Sequence, residues 1–176
     1  GSTLACALAK SGLRSIVIDK SRVGDQDNQK FDGRATAISQ TTKKMLDVIN
    51  IWAGLGGLTA PILDIRVADG KSTFFLHFAH SDLSSDPLGY MVENRYLRRA
   101  IFQTASKREE IIHLTPVELV DFIRDVDGVS ANLGDGRVIH SALIVGSDGR
   151  SSYVRENAGI RVTQWSYKQT GIVCTV

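Results

Sequence analysis

The chain has 176 residues, 43% of them hydrophobic and 23% charged, the make-up of an ordinary globular domain or a domain plus part of another. A net charge of +2 without a long basic run gives no electrostatic support for nucleic-acid binding, and no stretch approaches the ~20 apolar residues of a membrane span. Cys6 and Cys174, near opposite ends, form no CxxC pair and no Cys/His ligand spacing, so neither zinc nor a disulfide framework is indicated and a reducing, cytoplasmic setting is expected.

In chain order, residues 2–11 (STLACALAKS) are small and apolar and predict a helix stopped by Gly12. Residues 13–20 then predict a strand with Ser15-Ile16-Val17-Ile18 as its buried run and Asp19 at its end. A polar loop follows over 21–33. Helical spacing returns over 35–50, with Ala37, Ile38, Met45, Leu46 and Ile49 as the expected buried stripe. Strands over 62–68 and 72–78 flank Asp69-Gly70, a hairpin signal. Gly89-Tyr90-Met91-Val92 predicts a short strand feeding a helix over 94–106. Strands over 117–124, 128–133 and 137–140 are joined at Asp127-Gly128 and Asp135-Gly136. Ala142-Leu143-Ile144-Val145 predicts a further apolar strand, which runs into Gly146-Ser147-Asp148-Gly149 and a helix over 151–158. A last strand is expected over 171–176.

This order is an α/β plan with an inserted β excursion, and ligands in such sheets gather at the carboxyl ends of the strands. Those ends are Asp19 and Asp148-Gly149. A small-residue helix starting at Gly1, with an acid ending the next strand 18 positions on, fits the last glycine of a dinucleotide fingerprint and its ribose-binding acid. A solvated strand-terminal Asp19 fits equally. The turn at 148–151, with Ser151 placed to cap the next helix, suits a pyrophosphate. Asp148 there either accepts from ribose hydroxyls or orients the turn. Arg34, entering a helix after Asp32-Gly33, and Arg95, at a strand-to-helix junction, can each pair with phosphate oxygens. Each can equally be a surface residue, Arg34 bridged to Asp32 or Asp25. Arg155 is divided in the same way between ligand and surface. His77, His80, His113 and His140 have no paired spacing, so neither a catalytic triad nor a metal site is expected.

Taken in order, GSTLACALAKSGL, IVIDK, FDGRATAIS, GYMVENRYLRRAI and IVGSDGRSSYVRENAGI resemble the FAD-dependent aromatic hydroxylases, most closely the ubiquinone-biosynthesis hydroxylase group, relatives of p-hydroxybenzoate hydroxylase. The resemblance covers essentially the whole chain. It implies an α/β, FAD-binding Rossmann-like fold (p-hydroxybenzoate hydroxylase-like) with inserted antiparallel β structure, truncated at both ends. Residues 1–60 and 93–160 would belong to the FAD-binding domain, and 61–92 and 161–176 to the substrate domain. The cofactor-binding positions it implies are Gly1 under the pyrophosphate, Asp19 on the adenosine ribose, Arg34 and Arg95 along the cofactor, and Asp148 and Gly149 toward FAD and NAD(P)H. Lys20, Ala35 and Val117 complete the set.

The implied activity is NAD(P)H- and O2-dependent hydroxylation of a prenylated phenol, with the flavin carrying the chemistry and no catalytic side chain named. Peripheral contact with the inner membrane and a place in a ubiquinone-synthesis complex go with such a substrate. The first strand of the fingerprint and the family's later Gly-Asp motif are missing from these residues, so weak or no FAD binding and no turnover are expected of this stretch alone. Another flavoprotein of the same fold (an epoxidase or a prenyl reductase) and a non-catalytic truncated module stay open. The β excursion is too long for a simple NAD-linked dehydrogenase.

Overall fold

A computed structural model describes residues 1–22, 33–70 and 72–171. The chain divides into two units, Gly1–Gln26 with Arg108–Ile172 and Asp27–Lys107 with Val173–Val176.

In the first unit, helix α1 (Ser2–Lys10) buries Ala5, Cys6 and Ala9, small side chains that let it lie close on the sheet beneath. Gly12, at φ +75°, turns the chain out of the helix in the left-handed region glycine tolerates. Strand β1 (Ser15–Ile18) pairs in parallel with β7 (Ile111–Leu114), the parallel pairing expected of an α/β sheet. Strand β7 was not anticipated: Ile111-Ile112-His113-Leu114 is too short and too mixed to stand out from the preceding helix.

Strands β8 (Leu119–Arg124), β9 (Val129–Leu133) and β10 (Val138–Ser141) form an antiparallel meander at the two expected Asp-Gly turns, with a register shift between Leu119 and Asp121. Its buried face is Phe122, Val129 and Ala131, against which Ile144 and Val154 pack. The expected strand over 142–145 does not form. Extended backbone becomes a strand only by ladder pairing. None is made here among the described residues, and Leu143 and Val145 stay 74% and 50% exposed. Helix α4 (Tyr153–Asn157) closes the unit's regular structure. The strand expected over 171–176 lies almost wholly outside the described residues.

In the second unit, β6 (Gly89–Glu93) is the centre of an antiparallel sheet between β2 (Ala35–Ser39) and β3 (Thr59–Ile62). The helix expected over 35–50 is therefore two elements. Residues 35–39 are drawn into the ladder Ala35↔Glu93 to Ser39↔Gly89, and the helix α2 begins only at Gln40 (Gln40–Val48). Ser39 caps α2, its hydroxyl accepting from the Thr42 amide at 3.2 Å. Of the expected stripe, Ile38, Leu46 and Ile49 are buried, whereas Ala37 and Met45 face outward. Helix α3 (Asn94–Ala105) packs on a 3-10 turn at Trp52–Leu55 and buries Ala100 and Ala105 beside Ile51 and Leu55.

The predicted hairpin is β4 (Asp64–Ala68) and β5 (Phe75–Ala79). The cross-strand pairs Ile65↔Phe78 and Val67↔Leu76 put four exposed apolar side chains on one face, and the other face carries the His77–Asp64 pair at 2.8 Å.

Cys6 is fully buried; burial pushes its thiol up, against the lowering effect of Arg108. It is expected to resist a thiol-directed maleimide in the folded protein and to react fully in urea. Peptide mapping of the labelled protein checks this, and rapid labelling of Cys6 under native conditions would contradict it.

Candidate functional site

The first unit holds most of the candidate residues, in two groups, Gly1 with Asp148 and Gly149, and Asp19 with Lys20 and Val117. Ile144 and Val154, seated on the meander, hold the segment 146–154 from both sides. Gly146 faces Val154 so closely that an added Cβ would lie 3.1 Å from the valine's Cβ and Cγ1. The turn that follows is fixed by one carboxylate. Asp148 Oδ1 accepts from the Ser152 hydroxyl in a very short contact, and Oδ2 accepts from the Val154 amide at 3.1 Å. Ser152 is 5% exposed, the one buried polar residue among the described residues, and its Oγ accepts from the Arg155 amide at 3.0 Å.

Ser152 is thus the cap of α4, one position beyond the expected Ser151, because only it reaches both Asp148 and the Arg155 amide. Arg155 closes the ring by donating from Nη2 to the Arg150 carbonyl at 2.9 Å. Gly149 takes φ +90°, which the turn requires and a side chain resists.

Of the two roles open to Asp148, orienting the turn is the one its contacts perform. Burial raises its pKa, but the Ser152 hydroxyl and the amides of Val154, Asp148 and Tyr153 outweigh that and hold the carboxyl below its ordinary value. A carboxylate depressed in this way contributes stability above the ordinary range of ~4, and that contribution is lost as pH falls through the folded value. The stability difference between the wild type and Asp148→Asn, measured by urea unfolding, is therefore expected to be largest near neutrality and to shrink in acid. A difference that grows with acidification would contradict it.

The start of α1 lies beside this turn, since a Cβ built on Gly1 would meet the Ser147 Cβ at 3.7 Å. Gly1 itself caps the helix without a side chain, its carbonyl accepting from the Ala5 amide at 3.0 Å. At the end of β1, Asp19 is half-buried and Oδ1 accepts from the Ser21 amide at 2.8 Å. The Val117 amide donates to the Asp19 carbonyl at 2.9 Å, which places Val117 against the same strand end; Lys20 is exposed. A cleft of about 800 Å³ opens beside Gly149 and Ser152, with Phe122, Leu143, Ile144 and Arg155 among its walls. Of the cofactor-binding candidates only Gly149 lines it; Gly1, Asp19 and Asp148 do not.

The remaining candidates, Arg34, Ala35 and Arg95, belong to the second unit. Arg34 is exposed and stands before a strand, so the expectation of a helix start there, and the dipole argument built on it, are corrected. Its carbonyl accepts from the Asn94 amide at 3.0 Å and Ala35 pairs with Glu93, so Arg34 and Arg95 flank one strand-pair end. Arg95 Nε donates to Glu93 Oε2 at 2.7 Å and Nη2 to the Tyr96 hydroxyl at 3.0 Å. Asp25 and Asp32, the partners expected for Arg34, lie outside the described residues.

Ser152, Glu93 and Tyr96 were not singled out in the sequence. The S-x-x-R spacing of Ser152 and the adjacency of Glu93 and Tyr96 to Arg95 were the available signals. The histidines are spread over both units. His80 Nδ1 lies 3.2 Å from the Leu63 carbonyl, His140 Nδ1 lies 2.9 Å from the Ser130 hydroxyl, and burial lowers the pKa of His113. Among the described residues no cluster of three His, Cys, Asp or Glu could hold a metal, and no helix is long and apolar enough to cross a membrane.

The profile of the family described as FAD binding domain matches residues 1–174. Ubiquinone hydroxylase UbiL of Rhodospirillum rubrum is 47% identical over the whole chain, which covers 41% of that protein. The 3-demethoxyubiquinol 3-hydroxylase of Escherichia coli is 30% identical, again over the whole chain and 45% of the relative. The chain therefore spans less than half the length of these curated relatives. Among solved structures, PqsL of Pseudomonas aeruginosa, a probable FAD-dependent monooxygenase, superposes with a TM-score of 0.76 at 21% identity over 94% of this chain and 44% of that one. Aklavinone-11 hydroxylase with FAD and aklavinone gives 0.66 at 22% identity over 90% and 32%. At these identities the likeness is one of fold.

Proposed function

Because the chain belongs to the FAD binding domain family, we propose that it serves an FAD-dependent monooxygenase that hydroxylates the aromatic ring of a prenylated phenol in ubiquinone biosynthesis, with NAD(P)H and O2 as co-substrates. The observation that carries the reading is the 47% identity, held over all 176 residues, to a ubiquinone hydroxylase. In the same reading, residues 1–60 and 93–160 serve FAD and residues 61–92 and 161–176 belong to the substrate side. A prenyl-tailed substrate also implies peripheral contact with a membrane and a place in a ubiquinone-synthesis complex.

The residues present suit the cofactor. The backbone at Gly1 and Gly149 is bare of side chains where a pyrophosphate would approach, and the Asp148–Ser152 ring holds the turn in one shape before any ligand arrives. Asp19 closes a strand end at the position of a ribose acceptor, with Lys20 and Val117 beside it. Arg34, just before β2, and Arg95, at the start of α3, with Ala35 opening β2 between them in the pairing, bring positive charge for phosphate oxygens. FAD when bound supplies the redox and oxygen chemistry. The chain's own part is to bind and orient it, with no proton transfer assigned to a side chain.

A chimera tests the assignment. This chain is substituted for the corresponding 41% of the R. rubrum hydroxylase and expressed in cells lacking that enzyme. Restored ubiquinone, read by mass spectrometry, is the expected result. A chimera that folds and holds FAD yet restores none would contradict it.

A further inference from the structure

We infer that Glu93 and Tyr96 are positioning residues for Arg95, fixing its guanidinium for a polyanionic ligand; the inference rests on the proposal that Arg95 serves FAD. Glu93 ends β6 and occupies the N-cap position of α3, where a short acceptor would take one of the helix's unpaired amides. Its side chain makes no capping bond. It turns instead to Arg95 and accepts from Nε at 2.7 Å, with the two side chains about one third exposed.

Tyr96 holds the same group in two ways. Its hydroxyl accepts from Nη2 at 3.0 Å, and its ring lies under the guanidinium at 4.6 Å. Arg99 also lies over the Tyr96 ring, at 5.4 Å from its centroid.

A part-exposed ion pair contributes little to stability, ~0–1 kcal/mol, so folding alone does not account for a carboxylate diverted from the helix terminus. What the arrangement does achieve is a fixed guanidinium plane. Its Nε and Nη2 donors are committed to Glu93 and Tyr96, and its rotamers are restricted before a ligand is met. A flexible arginine would lose that freedom on binding, and a held one does not.

The test is a titration of the whole chain with FAD at constant ionic strength, read by flavin fluorescence anisotropy, with far-UV circular dichroism on each variant. Arg95→Met and Glu93→Ala are each expected to weaken FAD binding ~10-fold, the scale of one lost charge-assisted hydrogen bond. Glu93→Gln, which keeps an acceptor for Nε, is expected to stay within about twofold of the wild type. The double variant Glu93→Ala/Arg95→Met is expected to bind no more weakly than Arg95→Met alone, since Glu93 acts through Arg95. If Glu93→Ala does not fold, Glu93→Asp takes its place, moving the carboxylate back by one methylene with severalfold weaker binding expected.

A wild-type affinity in Glu93→Ala or Glu93→Asp, or losses that multiply in the double variant, would overturn the positioning role while leaving Arg95 on the cofactor. An Arg95→Met variant that binds FAD like the wild type would overturn the reading beneath it as well.

Discussion

Gly89→Ala is expected to destabilise the second unit by ~3 kcal/mol, with a corresponding fall in its urea midpoint. Gly89 opens the central strand β6, paired on one side with Ser39 and on the other with Ile62. A Cβ there would lie 2.4 Å from the Ile38 carbonyl oxygen and 3.2 Å from the Ser39 Cα. Both are backbone atoms in a paired strand, so no rotamer change relieves the clash, and β2 must move away from β6. Ile38 and Val92, buried at 3% and 1% exposure, would lose their packing with it. Gly134→Ala is the control: its new Cβ would meet the Glu118 carbonyl at 3.7 Å, an ordinary contact, and a change within about 0.5 kcal/mol is expected. Equal midpoints for Gly89→Ala and wild type would show that the β2–β6 pairing is looser than described.

Asp148→Ala is expected to weaken FAD binding at least ~10-fold while the first unit stays folded. The carboxylate accepts from Ser152 on one oxygen and from the Val154 amide on the other, so the substitution releases both ends of the turn. The Ser152 hydroxyl, buried, loses its acceptor; such an orphaned group costs ~1–3 kcal/mol, felt locally as a turn that no longer holds one shape. The meander core of Phe122, Val129 and Ala131 does not depend on Asp148, which is why unfolding is not expected. Asp148→Asn keeps one acceptor oxygen and should fall between. Unchanged affinity in a folded Asp148→Ala protein would remove the turn from the cofactor site.

How far these features were legible in the sequence depends on how local their causes are. The pairing of the strands on either side of Asp69-Gly70 was readable, though β5 begins at Phe75, three residues later than expected. The meander turns at Asp127-Gly128 and Asp135-Gly136 were readable because a glycine turn between alternating strands is decided by a few adjacent residues. The start of α1 and the stop at Gly12 were readable for the same reason. Residues 35–39 were read as helix because Ala37 and Ile38 continue the apolar spacing of the helix beyond them. What makes them a strand is pairing with residues 89–93, more than fifty positions away. The segment 142–145 failed in the opposite sense. Its composition is that of a buried strand, yet composition does not supply a ladder partner.

The site shows the same division. Asp19 was legible as an acid at a strand end, whereas the strand expected to lead into Asp148-Gly149 does not form, and only the Asp-Gly turn itself was legible there. Ser152, which holds Asp148 in the first unit, and Glu93 and Tyr96, which hold Arg95 in the second, are defined by three-dimensional contacts and carry no signal of comparable strength. The bonds by which Asp148 orients the turn, to Ser152 and Val154, are likewise visible only in the structure.

The most direct test of the account is an amide-resolved nuclear magnetic resonance titration of the isotope-labelled chain with FAD, which registers weak as well as tight binding. Saturable shifts are expected at Gly149–Ser152 and around Asp19 and Val117 in the first unit, and at Arg34 and Arg95 in the second, with the same turn responding to ADP and losing its response in Asp148→Ala. Shifts gathered on the β4–β5 hairpin instead of on these residues would contradict it.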